Sequence, residues 1–347
     1  MDVLETRLTR EYGVRYPFVG AGMGFVSLAP LAAAVSAAGG MGMIGAIGEP
    51  PHRVRAMVGE VRERTSAPFG VDLVVGESAI GRLTTPEHVE LCRAEDVPVV
   101  VFHMDTPPGD WVRRLQAGGT RVWKQVASIE ETRAAVAAGV DGLVVQGAQA
   151  GGHNRSTTPL ERLLPAVAAE AGGRLLVAAG GIADGPSAAR ALSSAAHGVW
   201  VGTRLLASRE SNAHPDYQRR VVAASGERDT VVTTLFGAEQ PGEPLRCLRN
   251  RAVERAGGGP DVIGHTTVGG QPYAMPAYSL VPPTRDTEGD LEEMCLYAGG
   301  QSAAVITDVP TAAEIVEAMM SGARALLETG LLSSVQQSAS RASATAR

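Results

Sequence analysis

Hydrophobic positions follow two alternating rhythms over the first two thirds of the chain. Short, almost unbroken apolar runs occupy 16–21 (YPFVGA), 41–46 (MGMIGA), 68–75 (PFGVDLVV), 97–102 (VPVVVF), 121–126 (RVWKQV), 142–147 (GLVVQG), 174–180 (RLLVAAG) and 197–202 (HGVWVG). Between them lie Ala- and Leu-rich segments with helical spacing, such as 28–40, 128–139 and 185–196. Several open with a capping Ser, Thr or Asp and close with Gly, as helices do. Strands that are apolar on both faces and alternate with helices predict a parallel sheet covered by those helices. Eight of them predict closure into an α/β fold of the (β/α)8 TIM-barrel type.

The rhythm stops between 216 and 294, where "ERAGGGPDVIGH" and "VGGQPYAMPAYSLVPPTRDTEGD" show no β-α alternation. This stretch reads as a smaller inserted subdomain of helix and loop that caps the barrel. Helical spacing returns at 309–330, with Pro near the start and Gly at the end, as the last barrel helix. The expected organisation is a barrel over 1–215 and 295–330, a substrate-side insertion at 216–294, and a disordered Ser/Ala-rich tail at 331–347.

Composition narrows the function. The 347 residues are 44% hydrophobic and 20% charged, an ordinary globular balance, with 42 glycines and only 4% aromatics. A formal charge of -6 leaves no basic footprint for nucleic acid. Cys92, Cys247 and Cys295 are far apart, so neither a disulfide framework nor a metal site is expected, and a reducing cytoplasm suits them. No apolar stretch reaches membrane-spanning length.

The candidate chemistry gathers where the apolar runs end. The seventh and eighth runs pass into "AAGGIADG" and "GVWVGTRLLAS". Glycine lets backbone N–H groups converge on an anion, and barrels often hold a phosphate after their last two strands. Gly180 and Gly181 would form one half of such a cradle, Gly202 and Thr203 the other; taken singly, each is also an ordinary tight turn. The sixth run ends in Gln146, then "GAQAGG", then His153. Side-chain-free backbone leaves room for a flat ring, Gln146 offers it donor and acceptor, and His153 is an acid or base at its edge. Gly22 and Met23 follow the first run as low-bulk and soft contacts. Asp72 lies in the third. His103, read as just past the fourth run, is either a substrate contact or a locally bonded loop histidine. Lys124 and Gln125 fall on opposite faces of the fifth, and a Lys there is costly unless it serves a function.

Together these stretches resemble the nitronate monooxygenase (2-nitropropane dioxygenase-like) family of FMN-dependent barrel enzymes, over about residues 14 to 330. The carriers are "YPFVGAGMGFVSLAPLAAAVSAAGGMGMIG", "APFGVDL", "AGVDGLVVQGAQAGGH", "LLVAAGGIADG", "GVWVGTRLLASRES" and "DTEGDLEEMCLYAGGQS". The resemblance implies FMN contacts at Gln146, Gly151 and the adjoining Gly152. It implies phosphate contacts at Gly181 and at Trp200, Val201, Gly202 and Thr203, and Met23 beside the isoalloxazine. His153 matches the family's catalytic histidine, which deprotonates a nitroalkane or positions the nitronate. A buried Lys124 would balance negative charge on a reduced flavin. The implied activity is oxidation of alkyl nitronates or nitroalkanes with O2 to a carbonyl compound and nitrite. The implied partners are a small substrate and O2, with NAD(P)H as an alternative reductant and room for a homodimer. Relatives of the barrel also reduce quinones or enoyl thioesters, and "WKQV" is similar to the quinone reductases. A phosphate-binding barrel without redox chemistry is a third option, disfavoured because no cysteine lies in the loop after the sixth run. The chain departs from the family at Gly22 (usually Pro), Asp72 (usually Asn), Trp200 (usually Gln) and the extra glycine in Gly299-Gly300-Gln301.

Overall fold

Strands that must bury both faces gain most from a closed sheet, and the computed structural model, which describes residues 2–78 and 81–330, closes it. The barrel strands are β1 (Phe18–Gly20), β2 (Gly42–Gly45), β3 (Phe69–Val75), β4 (Val99–Met104), β5 (Arg121–Val126), β6 (Gly142–Gln146), β7 (Leu175–Ala179) and β8 (Gly198–Val201). Each pairs in parallel with its neighbours in chain order, and β8 pairs with β1. A parallel bridge from Val19 to Met41 shuts the last gap between β1 and β2. The eight-stranded barrel read from the apolar runs is therefore the fold.

Strand alternation divides the side chains into two layers. Val19, Met43, Val101, Trp123, Val144, Val177 and Trp200 point inward and fill the barrel. Phe18, Ile44, Val71, Phe102, Leu143, Leu176 and Val199 point outward beneath the helices. Those helices begin where the sequence supplies caps: Ser128 accepts from Glu131 N, Asp184 from Ser187 N and Thr311 from Glu314 N. The final helix, Ala312–Glu328, crosses helix Gly185–Leu192 where two glycines meet. A Cβ built on Gly185 would stand 2.8 Å from the Gly322 Cα, so a side chain there would push the helices apart.

Two expectations need correction. His103 does not follow β4 but lies inside it, because the strand runs two residues past the apolar run. The insertion is also less helical than its sequence suggests. It holds helices Pro215–Ala223 and Arg251–Arg255, but also β9 (Thr230–Thr233) paired with β10 (Leu245–Leu248), and a hairpin of β11 (Val262–Val268) with β12 (Gln271–Pro276). β10 continues onto the two-residue strand Gly152–His153, so the insertion is sewn to the loop after β6. Cys92, Cys247 and Cys295 are all free and buried. Among the described residues no cluster could hold a metal ion, and no helix is long and apolar enough to cross a membrane. The tail assigned to 331–347 lies outside the described residues.

Candidate active site

A cavity of about 230 Å³ opens at the C-terminal ends of the barrel strands, the end at which barrel enzymes carry their chemistry. Its floor is built from Ala21 and Gly22 after β1, Asp72 on β3, His103 on β4, Gln125 on β5, Gln146 on β6 and Trp200 on β8. The insertion supplies a wall through Gln240, Leu280 and Pro282, with Tyr297 just beyond it. Met23, Gly151, Gly152, His153, Gly180, Gly181, Gly202 and Thr203 also line it, so most of the residues singled out in the sequence converge on one space.

One side is almost bare backbone. Gly180 (φ +109°) and Gly181 (φ +72°) hold conformations that L side chains avoid. A Cβ on Gly180 would come within 3.1 Å of Ala150 N, and one on Gly151 within 2.4 Å of the Ala298 carbonyl carbon. Gly299 N donates to Thr203 Oγ1 at 3.0 Å, which draws the late glycine pair onto the turn after β8. Three glycine-bearing loops thus meet with little side-chain bulk between them. Anions and the edges of flat rings bind such surfaces.

The loop from 147 to 152 is held by a residue the motif reading passed over. Asn154 is buried, and its Nδ2 reaches the carbonyls of Gly147, Ala148 and Ala150, each at 3.2 Å. Asn154 N donates to Pro244 O at 3.0 Å, and His153 is paired with Leu245. Gln146 Nε2 donates to the His153 carbonyl at 3.1 Å, and Gln146 Oε1 accepts from Gln125 Nε2 at 3.1 Å. The Gln146 amide therefore fixes the histidine loop as well as facing the cavity. The ring of His153 lies 5.9 Å from that of Tyr297, and its Nε2 is buried without a hydrogen-bond partner among the described residues. Burial pushes its pKa down to about 4; Glu243 opposes the shift, while Arg155 and His103 add to it. At neutral pH this imidazole is uncharged.

Two residues do not stand where the sequence reading put them. Lys124 shares the outward face of β5 with Val122, while Trp123 and Gln125 face inward. Its Nζ donates to the Met104 carbonyl at 3.0 Å and to that of Gln125, and it lines a small crevice with Glu131 and Arg155 that adjoins the cavity behind Gln125, Gln146 and His153. Burial lowers its pKa to about 8. The inward partner in "WKQV" is thus Gln125, and the parity of Trp123, the bulky apolar residue two positions before it, is the signal that separates the faces. Val201 is likewise outward, packed beneath the helices, so only its backbone is available to a ligand.

Three of the departures from the family meet at one point. His103 Nε2 stands 2.8 Å from Asp72 Oδ1. The separation is that of a hydrogen bond but the ring N–H is off line, so neither Asp72 oxygen nor Nε2 has a conventional partner. Such bonds are often loose before substrate arrives, and the two groups form a dyad. Burial pushes the Asp72 carboxyl up from its ordinary value, while His103 and then Lys124 pull it back. Gly22 makes the room: a Cβ there would fall 2.2 Å from Asp72 Cβ. Trp200 flanks the imidazole at 5.9 Å between ring centroids.

The fold and this cavity define a barrel enzyme with a backbone cradle on one side and two histidines on the other. The nitronate monooxygenase family matches residues 5–322, and the chain belongs to that family of flavin-dependent oxidoreductases. It is 31% identical over 358 aligned positions to the nitronate monooxygenase of Pseudomonas aeruginosa, covering 90% of this chain and 98% of that one. It is 34% identical over 255 to the (3aS,4S,5R,7aS)-5-hydroxy-7a-methyl-1-oxo-octahydro-1H-indene-4-carboxyl-CoA dehydrogenase of Mycobacterium tuberculosis, covering 73% and 68%. The structure of FabK from Thermotoga maritima superposes with a TM-score of 0.75 at 31% identity, covering 94% and 98%.

Proposed function

We infer that the chain is an FMN-dependent oxidoreductase of the cytoplasm that oxidises alkyl nitronates, or the nitroalkanes that give rise to them, with O2 to a carbonyl compound and nitrite. The observation that carries the reading is an uncharged His153, its Nε2 buried and unpartnered, in the same cavity as the glycine cradle. FMN fits the residues present. Gly180, Gly181, Gly202 and Thr203 line the cavity with low-bulk backbone suited to its phosphate, and the Gly151–Gly152 backbone, with Met23 lining the same cavity, accommodates the flat ring. When bound, FMN supplies the electron-accepting centre. The protein's part is to bind, orient and handle protons. A neutral imidazole is a weak base at this pKa but a good hydrogen-bond donor, so His153 holds the oxygen of a nitro group as negative charge gathers on it. Gln146 and Asn154 keep the histidine loop in place. Tyr297 and the insertion wall limit water around the reacting carbon.

A second reading, reduction of an enoyl thioester or quinone by NAD(P)H, is favoured by the similarity to a CoA-ester dehydrogenase and to FabK. FMN-loaded protein mixed anaerobically with ethyl nitronate, NADH or NADPH separates the two. Bleaching of the flavin by the nitronate, with nitrite released on admitting air, supports the first. Bleaching by NAD(P)H alone replaces it with the second, and no bleaching by any donor removes both.

A further inference from the structure

His153 is not alone in the cavity. His103, carried on a rigid barrel strand rather than a loop, lines the same space. Its surroundings differ from those of His153 in the respect that matters for proton transfer. His153 has a ring neighbour in Tyr297, and the nearest carboxylate influence, Glu243, is tied up by Arg155 at 2.6 Å. His103 has a buried carboxylate of its own, 2.8 Å from Nε2, on the adjacent strand β3. With Nε2 turned to Asp72, Nδ1 is the ring nitrogen left without a partner among the described residues. An imidazole oriented through one nitrogen by a buried carboxylate, its other nitrogen facing a pocket, is the arrangement by which proteins make a general base.

The residues around it are shaped to permit this pair. Any side chain at position 22 would collide with Asp72, and Trp200 packs beside the imidazole where a smaller residue would leave it free to swing. Where the family's usual Asn stands in place of Asp72, the carboxylate partner is missing. The dyad belongs to this chain's particular set of residues.

We propose that the His103–Asp72 dyad is the proton acceptor of this site, with His153 as the oxygen-side donor, and that the substrate is a carbon acid bearing a nitro or thioester group. The proposal rests on the preceding reading that the cavity oxidises or reduces such a compound. In the step, a C–H bond on the carbon that bears the nitro group, or on the carbon alpha to the thioester carbonyl, breaks and its proton passes to His103 Nδ1. The electron pair left behind delocalises onto the substrate oxygen, which accepts a hydrogen bond from His153. The imidazolium formed on His103 faces the Asp72 carboxylate and later releases its proton to water. No electron leaves the substrate in this step, so it needs no oxidant. Asp72 acts through His103 and is a positioning residue.

The experiment follows hydrogen exchange rather than turnover. FMN-loaded protein is incubated anaerobically in D2O with nitroethane or with butanoyl-CoA. Loss of the α-proton signal is read by NMR, normalised to bound flavin and corrected for spontaneous exchange. The expected result is catalysed exchange on at least one probe, slowed at least about 100-fold by His103→Gln and at least about tenfold by Asp72→Asn, with a smaller loss in His153→Gln. In the aerobic assay the ratio of kcat/KM for nitroethane to that for preformed ethyl nitronate falls in the same two variants, a change that mere loosening of the barrel would not produce. Should His103→Gln take up no flavin, Asp72→Asn decides by the same criteria. Exchange that survives both substitutions and disappears in His153→Gln overturns the proposal while leaving the functional reading standing. A wild-type protein that exchanges neither probe overturns the proposal, while the functional reading is decided separately by flavin bleaching with preformed ethyl nitronate.

Discussion

Replacing Gly22 by Ala tests whether this pocket is built around the Asp72 side chain. The added Cβ would sit 2.2 Å from Asp72 Cβ, 2.5 Å from Oδ2 and 2.7 Å from Cγ. Carbon atoms pack at about 3.5–4.0 Å, so the overlap exceeds 1 Å, and a Cβ cannot rotate out of the way. Relief requires the turn after β1 or strand β3 to move, and β3 is locked into the barrel ladder on both sides. Overpacking of this kind costs about 1–3 kcal/mol, and we expect about 2 kcal/mol from urea unfolding of Gly22→Ala. Asp72→Gly removes the obstructing atoms. In that background the same Gly22→Ala change should cost under about 1 kcal/mol, a coupling of at least about 1 kcal/mol in a double-mutant cycle. Equal costs in the two backgrounds would refute the contact, and with it the view that positions 22 and 72 depart from the family as one unit.

Gly181→Ala forces a side chain into left-handed backbone at φ +72°, a strain of roughly 1–2 kcal/mol, and should weaken FMN about tenfold by fluorescence titration; unchanged affinity would move the phosphate site elsewhere. His153→Ala should keep its flavin absorbance while losing about 10²–10³ in nitroalkane turnover, the usual loss of one oxyanion donor; a loss under tenfold would end its role. Lys124→Met should leave flavin affinity and turnover within about threefold, because the ammonium lies outside the cavity. The same variant has a pH signature: the folded pKa of Lys124 is about 8 against 10.5 for the free group, so the unfolded chain holds the extra proton between those values. The penalty of the buried lysine is present in full below pH 8 and is lifted as pH rises toward 10.5. The stability gained by Lys124→Met should therefore shrink by up to about 3 kcal/mol over that window, and a gain independent of pH would show that the ammonium is not desolvated.

The barrel could be read from the sequence because strands buried on both faces leave long apolar runs with glycine at their ends, and all eight runs match strands. The glycine loops were readable for the same reason, since Gly180 and Gly181 have a conformation that little else adopts. What failed was parity and context. Lys124 and Gln125 differ by a single step along β5, and a charged residue within an apolar strand draws attention whichever way it points. The insertion concealed its strands because they are short, interrupted by Pro and Gly, and buried only in patches. Yet Val268-Gly269-Gly270-Gln271 carried a usable hairpin signal, with both glycines at positive φ. The Asp72–His103 contact spans two strands, and no local pattern encodes it.

The antiparallel join between His153 and Leu245 has a wider consequence. The segment that walls the chamber also carries β10, the strand with which the histidine's own short strand is paired. Grafting a foreign insertion onto this barrel would therefore not merely change what enters; it would re-aim the imidazole itself. Substrate range and chemistry are mechanically geared together here through one short antiparallel ladder.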